Sequence, residues 1–332
     1  MNIKYLNYRK RAEELFSVGD LESSYKYFEK AYECSPEENI IDILYFQALI
    51  NDELEKYEES LNKFKQIFEL DYNQPGSLYG MAMANEKLGN IDVAEYYYKK
   101  SIEMNPNYDR ALFFLANLYD NEKRFDKAIE YYKKTVKIAK DDYMAYNNMG
   151  AIYENMDKFE ESLEALNKSI EIEPYYFRPY FNKGTVYGRL GRFENALKEY
   201  RQSIALNPEY GYNYLNMSAL FIEREMYKDS IDILNQGIKE STDIDDILYY
   251  NRSCSYMKMG FKNLSLKDLK KSIKLNPNLA DYAKTDPDFD KIKDEKIFKE
   301  IIGVNYDNIK EWRRNKWYEK SWRKAMQNSF SN

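Results

Sequence analysis

A period of 34 residues constrains this chain more than any other feature. In steps of 34, the segments beginning at Pro75, Asp109, Tyr143, Phe177 and Gly211 align without a gap. Ile41 begins one step upstream. Tyr5 begins an earlier copy with two extra residues before Ile41, and Asp246 begins a last copy after one extra residue. Self-similarity at such a period means small supersecondary units that bury their apolar faces on one another, not one globular core.

The same residue types recur at the same repeat positions. Position 8 is small: Ala12, Ala48, Ala82, Ala116, Gly150, Gly184, Ser218 and Ser253. Position 20 is small as well: Ser24, Ser60, Ala94, Ala128, Ser162, Ala196, Ser230 and Ser265. Position 24 is large and apolar: Phe28, Phe64, Tyr98, Tyr132, Leu166, Tyr200, Leu234 and Leu269. Positions 4, 7, 8 and 11 share one helix face, and 20, 24 and 27 share a face of a second helix. Small residues at 8 and 20 let the two backbones approach, and the large residue at 24 fills the space beside them. Gly at position 15 (Gly19, Gly89, Gly191, Gly260) suits the left-handed close of the first helix. Pro at position 32 (Pro36, Pro106, Pro174, Pro208, Pro277) cannot continue the second. Each copy therefore reads as helix, tight turn, helix.

This pattern resembles the tetratricopeptide repeat, with small residues at 8 and 20, an aromatic at 24 and Pro at 32. The resemblance covers residues 5–279 as eight repeats, starting near 5, 41, 75, 109, 143, 177, 211 and 246. It implies an all-α, right-handed superhelical solenoid whose concave surface is lined by the first helix of each repeat. Position 4 carries no Trp, and position 32 is Tyr72, Lys140 and Thr242 in repeats two, four and seven. Those three second helices are expected to run on or to end less sharply. Residues 280–302 are similar to the segment that follows the last repeat in bacterial members, with Phe289, Ile292 and Phe298 expected to cover repeat eight.

Composition narrows the function. The chain has no histidine, which removes the commonest general base and metal ligand. It contains no phosphate-binding glycine loop, no nucleophile-elbow motif and no inserted domain, so no enzyme and no cofactor are expected. Cys34 and Cys254 form no paired motif and read as small apolar residues in a reducing compartment. No signal-type segment opens the sequence and no run of 18 apolar residues occurs, so a cytoplasmic protein without a membrane span is expected. Tyr is abundant, at 34 residues, and suits a thin core whose side chains are packed at one end and wet at the other.

The candidate site lies on the first-helix stripe of positions 2, 6, 9 and 13. Position 6 is Asn in four consecutive repeats: Asn148, Asn182, Asn216 and Asn251. Amides match the alternating N–H and C=O of an extended peptide, and the family's peptide-binding arrays use such a ladder. Asn at this position is also common in the family without a ligand, and both readings stand. Position 12 is acidic in Asp52, Glu86, Asp120 and Glu154, with Tyr79 and Phe113 on the same wall. That wall suits a ligand with basic or apolar side chains; a solvated polar wall with aromatics packed between repeats is the competing reading. Arg178 and Arg189 could meet a carboxylate. Asn117, Asn148 and Arg178 match three positions of the family's two-carboxylate clamp, but Phe113 and Asn182 replace two others, so that clamp is not expected.

Residues 303–332 form a basic, Trp-containing helix or tail with net charge +4, which leaves −10 for the rest of a chain whose total is −6. Trp312, Trp317 and Trp322 lie in it, and it reads as a cap or as a docking segment. The acidic body disfavours nucleic acid. The function expected is a non-catalytic scaffold binding a peptide or partner protein; the alternative is a regulatory or self-assembling subunit.

Overall fold

The computed structural model of the chain describes residues 3–303. The basic segment 304–332, with its three Trp, lies outside the described residues. Among the described residues every regular element is helical. They divide into two compact units, one up to Ile152 and one from Tyr153 onward.

In the first unit the helices are α1 (Ile3–Ser17), α2 (Leu21–Glu33), α3 (Ile40–Glu53), α4 (Tyr57–Leu70), α5 (Pro75–Lys87), α6 (Ile91–Met104), α7 (Asp109–Asn121) and α8 (Phe125–Ile138), with most of α9 (Tyr143–Asn155). Each odd helix packs on the following even one, and α2, α4 and α6 pack on α3, α5 and α7. The second unit continues with α10 (Phe159–Ile172), α11 (Arg178–Arg189), α12 (Phe193–Leu206), α13 (Tyr212–Ile222), α14 (Tyr227–Glu240), α15 (Asp245–Lys258) and α16 (Lys262–Leu275), followed by α17 (Leu279–Thr285) and α18 (Lys296–Ile302). There α10, α12 and α14 pack on α11, α13 and α15.

Close approach within each hairpin follows from the small residues at positions 8 and 20. Ser24 and Ser60 donate their hydroxyls to the carbonyls of Ala12 and Ala48, at 2.8 and 3.0 Å. Ser253 donates to the Ser265 carbonyl at 2.8 Å. A Cβ at Gly184 would stand 2.6 Å from the Tyr200 ring, so the glycine is the space into which the position-24 aromatic packs.

The turns share one backbone conformation. Gly19, Gly89, Gly191 and Gly260 are left-handed, and so are Glu55, Lys123, Asp157 and Glu225 at the equivalent position of the other four repeats. The residue after each of these donates its N–H five residues back, as Lys56 does to Asn51 at 2.7 Å and Arg124 to Tyr119 at 2.7 Å. This is the bond that closes a helix through a left-handed residue.

The expectation that helices without Pro at position 32 end less sharply is corrected. α4, α8 and α14 stop at the same repeat position as α6, α10, α12 and α16. The stop is made before the proline. Asp71 accepts the N–H of Asn73 at 2.9 Å, as Asn105, Glu173, Asn207 and Asn276 accept from the residue two ahead. In α4 this turn competes with helix propagation although no Pro follows, whereas α8 and α14 stop at the same position before Ala139 and Ser241, which make no such bond.

After α16 the chain folds back on the last hairpin. Phe289, Ile292, Phe298 and Ile301 are buried in one cluster with Tyr250, Leu269 and Ile273.

Candidate functional site

On the first unit, α5 and α7 carry a run of rings. Tyr79 packs on Tyr98, Tyr108 and Phe114 at centroid distances of 6.1, 5.5 and 5.7 Å. Phe113 meets Phe114 and Tyr132 edge-on at 5.5 and 5.6 Å. Tyr79 is buried and Phe113 half-buried, so these aromatics pack between repeats as well as lining the wall.

The carboxylates of the wall differ from one another. Glu86 accepts the Tyr98 hydroxyl at 2.8 Å, and burial raises its pKa despite that bond. Burial likewise raises the pKa of Asp52. Neither forms an ion pair with any described cation. Asp120 is half-buried on the same side of α7. Glu154 belongs to the second unit and is only 6 % exposed. Its carboxylate receives Arg189 at 2.6 Å, and Arg189 also donates to the Glu154 carbonyl at 2.6 Å and to Asp157. Arg189 and Glu154 thus satisfy each other.

The asparagines at position 6 do not form one uniform row. Asn148 donates to the Tyr132 hydroxyl at 3.1 Å and to Asn117 at 3.2 Å, and Asn117 also accepts the Tyr132 hydroxyl. Asn216 donates to the Tyr200 hydroxyl at 3.2 Å. In both cases the partner is the position-24 tyrosine of the preceding repeat. Where position 24 is leucine, the bond goes elsewhere: Asn251 donates to the Ile247 carbonyl of its own helix at 3.0 Å. Asn182 is half-buried on α11. Arg178 is exposed and lies over the rings of Phe177 and Tyr210, at 5.4 and 5.7 Å.

Two polar clusters escaped sequence reasoning. Glu95 of α6 accepts Arg124 at 2.5 Å, Lys99 at 2.6 Å and the Tyr119 hydroxyl at 3.0 Å. Burial opposes its ionisation, but these three donors prevail and hold its pKa at about 2. The signal was available only in three dimensions, since Glu95 and Arg124 lie 29 residues apart. The second cluster is Cys254, Asp286 and Asp288, whose ligand atoms lie within 4.8 Å of one another. Asp286 accepts the Tyr250 hydroxyl at 2.6 Å and the Cys254 thiol at 3.8 Å, while Asp288 pairs with Lys258 at 2.6 Å. Burial pushes the Cys254 thiol up, away from the thiolate that a metal or a reaction would need. The cluster reads as a polar pin between α15 and the segment that covers it.

Helical hairpins repeating at 34 residues, closed by one turn and one stop, are matched by models of one family. Three tetratricopeptide-repeat models match residues 87–151, 142–209 and 247–279. The chain belongs to the tetratricopeptide-repeat family. No curated protein matches the sequence significantly. Among solved structures, the APC/C hetero-tetramer Cut9–Hcn1 is similar with a TM-score of 0.55 and 19% identity, over 81% of this chain and 52% of that one. The chain thus spans about half the length of that relative. Pseudomonas aeruginosa PilF is similar with a TM-score of 0.52 and 17% identity, over 63% of this chain and 95% of that one. YrrB, described as a tetratricopeptide-repeat protein with an unusual peptide-binding site, reaches 0.46 at 15% identity, over 56% and 94%. At these identities the likeness is one of fold. The tetratricopeptide-repeat fold is typically that of a protein-interaction scaffold. No described helix is long and apolar enough to cross a membrane.

Proposed function

We propose that this tetratricopeptide-repeat chain is a non-catalytic scaffold whose first unit binds an extended, basic segment of a partner protein. The observation that carries this reading is the pair Asp52 and Glu86. Both carboxylates are raised in pKa by burial, which the charge of nearby Lys87 offsets only in part and without an ion pair to either. An ionised carboxylate removed from water without a partner is unfavourable, and an arriving Lys or Arg side chain supplies what is missing. Tyr79, Phe113 and Phe114 beside them offer faces for apolar or cationic side chains. Asp120 extends the acidic wall by one repeat.

Asn148, Asn182, Asn216 and Asn251 contribute less than a free ladder would. Each amide carries two donor hydrogens and an acceptor, so a bond to tyrosine leaves capacity for a peptide backbone. Asn148 and Asn216 also tie neighbouring repeats together through Tyr132 and Tyr200. Arg178, exposed over two aromatic rings, is the residue of the second unit best suited to a partner's carboxylate.

An array of extended peptides that differ only in charge tests the proposal. Retention of peptides that alternate Lys or Arg with apolar residues, and not of their Glu or Asp counterparts, is the expected outcome. Indifference to charge, or preference for acidic peptides, would overturn it.

A further inference from the structure

On the second unit, α12, α13 and α14 enclose an open cavity of about 360 Å³, away from the first-helix stripe. Its floor is Ile204, Met217, Phe221 and Ile233, and Asp229 and Asp232 stand on its α14 rim. Met217 and Phe221 are buried members of the hairpin core, against which Ile204 and Ile233 pack half-buried. The fold itself therefore holds the floor in place. Both aspartates are exposed, and neither pairs with a described cation. An apolar floor beside two unpaired carboxylates fits an aromatic ring followed by basic side chains.

That chemistry occurs in this chain. Its three Trp all lie beyond the described residues, and Trp312 is followed directly by Arg313 and Arg314. We propose that Trp312 seats its indole ring on this floor of the same molecule, with Arg313 and Arg314 meeting Asp229 and Asp232. The +4 charge of residues 303–332 against −10 for the remainder favours such a contact. Arg201 lines the cavity from α12; it repels guanidinium groups on that side and so directs them to the α14 rim. α14 packs on α15, α15 on α16 and α16 on α18. Three steps of about 8–10 Å across the helix axes separate α14 from α18, about 30 Å at most in that direction. Nine residue-to-residue steps lead from Gly303 to Trp312, and at about 3.3 Å each they span about 30 Å. The acidic wall of the first unit is a poorer seat, because Asp52 and Glu86 are half-buried and Tyr79 is already packed among rings.

Because no Trp lies among residues 3–303, indole fluorescence reports on residues 304–332 alone. The probe is Trp312 in a Trp317→Phe, Trp322→Phe background. Its emission should be blue-shifted and shielded from acrylamide, independently of protein concentration. Asp229→Lys with Asp232→Lys should move both readouts towards free indole. Each exposed ion pair lost lowers the docked-to-free ratio by about two- to fivefold. Asp229→Asn with Asp232→Asn, which removes the attraction without adding repulsion, should act in the same direction but less. Glu160→Lys with Glu161→Lys, an equal reversal elsewhere on the unit, should leave the signal unchanged. Helicity by circular dichroism confirms that the variants fold. Water-like emission in the parent, or an equal response to both charge reversals, overturns the proposal. Shielding that rises with concentration assigns the seat to a second copy and overturns it as well.

Discussion

The side-chain amide of Asn216 donates to the hydroxyl of Tyr200 at 3.2 Å, joining the first helix of one repeat to the second helix of the repeat before it. Asn148 and Tyr132 repeat the arrangement at 3.1 Å. Tyr200 is buried and its hydroxyl also meets Thr185 at 3.2 Å, so losing Asn216 leaves it less fully satisfied. Asn216→Ala should lower stability by about 0.5–1.5 kcal/mol. In a double-mutant cycle with Tyr200→Phe the two losses should be less than additive. Urea melts of the four proteins measure this; strict additivity would deny the contact its coupling role.

Gly184 and Gly191 separate two uses of glycine. A Cβ at Gly184 meets the Tyr200 ring at 2.6 Å, whereas at Gly191 it meets nothing within 4 Å. Gly191 instead has a φ of +67°. Gly184→Leu should cost about 3 kcal/mol or more through overpacking, the upper part of the usual range. Gly191→Ala should cost only the left-handed penalty of about 1–2 kcal/mol. Equal melting temperatures for the two variants would contradict the packing described for α11 and α12.

The left-handed residues that are not glycine offer the reverse experiment. Glu55 and Lys123 have φ of 59° and 58°. Replacing either by Gly relieves the Cβ penalty but frees the unfolded chain, so a net gain of up to about 1 kcal/mol is expected. Asp157→Gly should gain less, because Asp157 also pairs with Arg189. Thermal melts of the three single variants rank these effects.

Acid should weaken the first unit through Glu95. Its folded pKa, about 2, lies below the ordinary carboxylate value of 4.5. A carboxylate depressed in the folded state stabilises it above the unfolded pKa, and that contribution is lost as pH falls through the folded value. The loss should fall between about pH 4.5 and 2. Glu95→Gln should cost about 1–3 kcal/mol at neutral pH, after allowing for the partial exposure of Arg124. The gap between parent and variant should close near pH 2, as followed by denaturant melts across pH.

The residues that repeat made the hairpins legible in sequence. Positions 8, 20 and 24 are set by contacts within one repeat, so they recur in every copy and announce the fold. The turn at position 15 was half legible: four glycines marked it, while Glu55, Lys123, Asp157 and Glu225 adopt the same conformation without the usual residue type. Their register alone could have revealed them. The helix stop was read from Pro106 and Pro174, although Asn105 and Glu173 one residue earlier make the turn. The wall residues were legible as a stripe, but not their partners. Whether Asn216 is available or bonded depends on Tyr200 in the previous repeat, and whether Glu154 is available depends on Arg189 in the next. Sequence position shows which face a side chain occupies, and only packing shows what it touches.

The proposed binding of a basic segment rests on Asp52 and Glu86. Calorimetric titration of a peptide alternating Lys with apolar residues into the parent and into the Asp52→Asn, Glu86→Gln variant tests it most directly. The variant keeps the shape of the wall and the acceptor for Tyr98, and it should be no less stable than the parent, since two carboxylates disfavoured by burial are gone. Affinity should fall about 10- to 100-fold, as expected for losing hydrogen bonds between charged groups. Unchanged affinity in the folded variant would contradict the account.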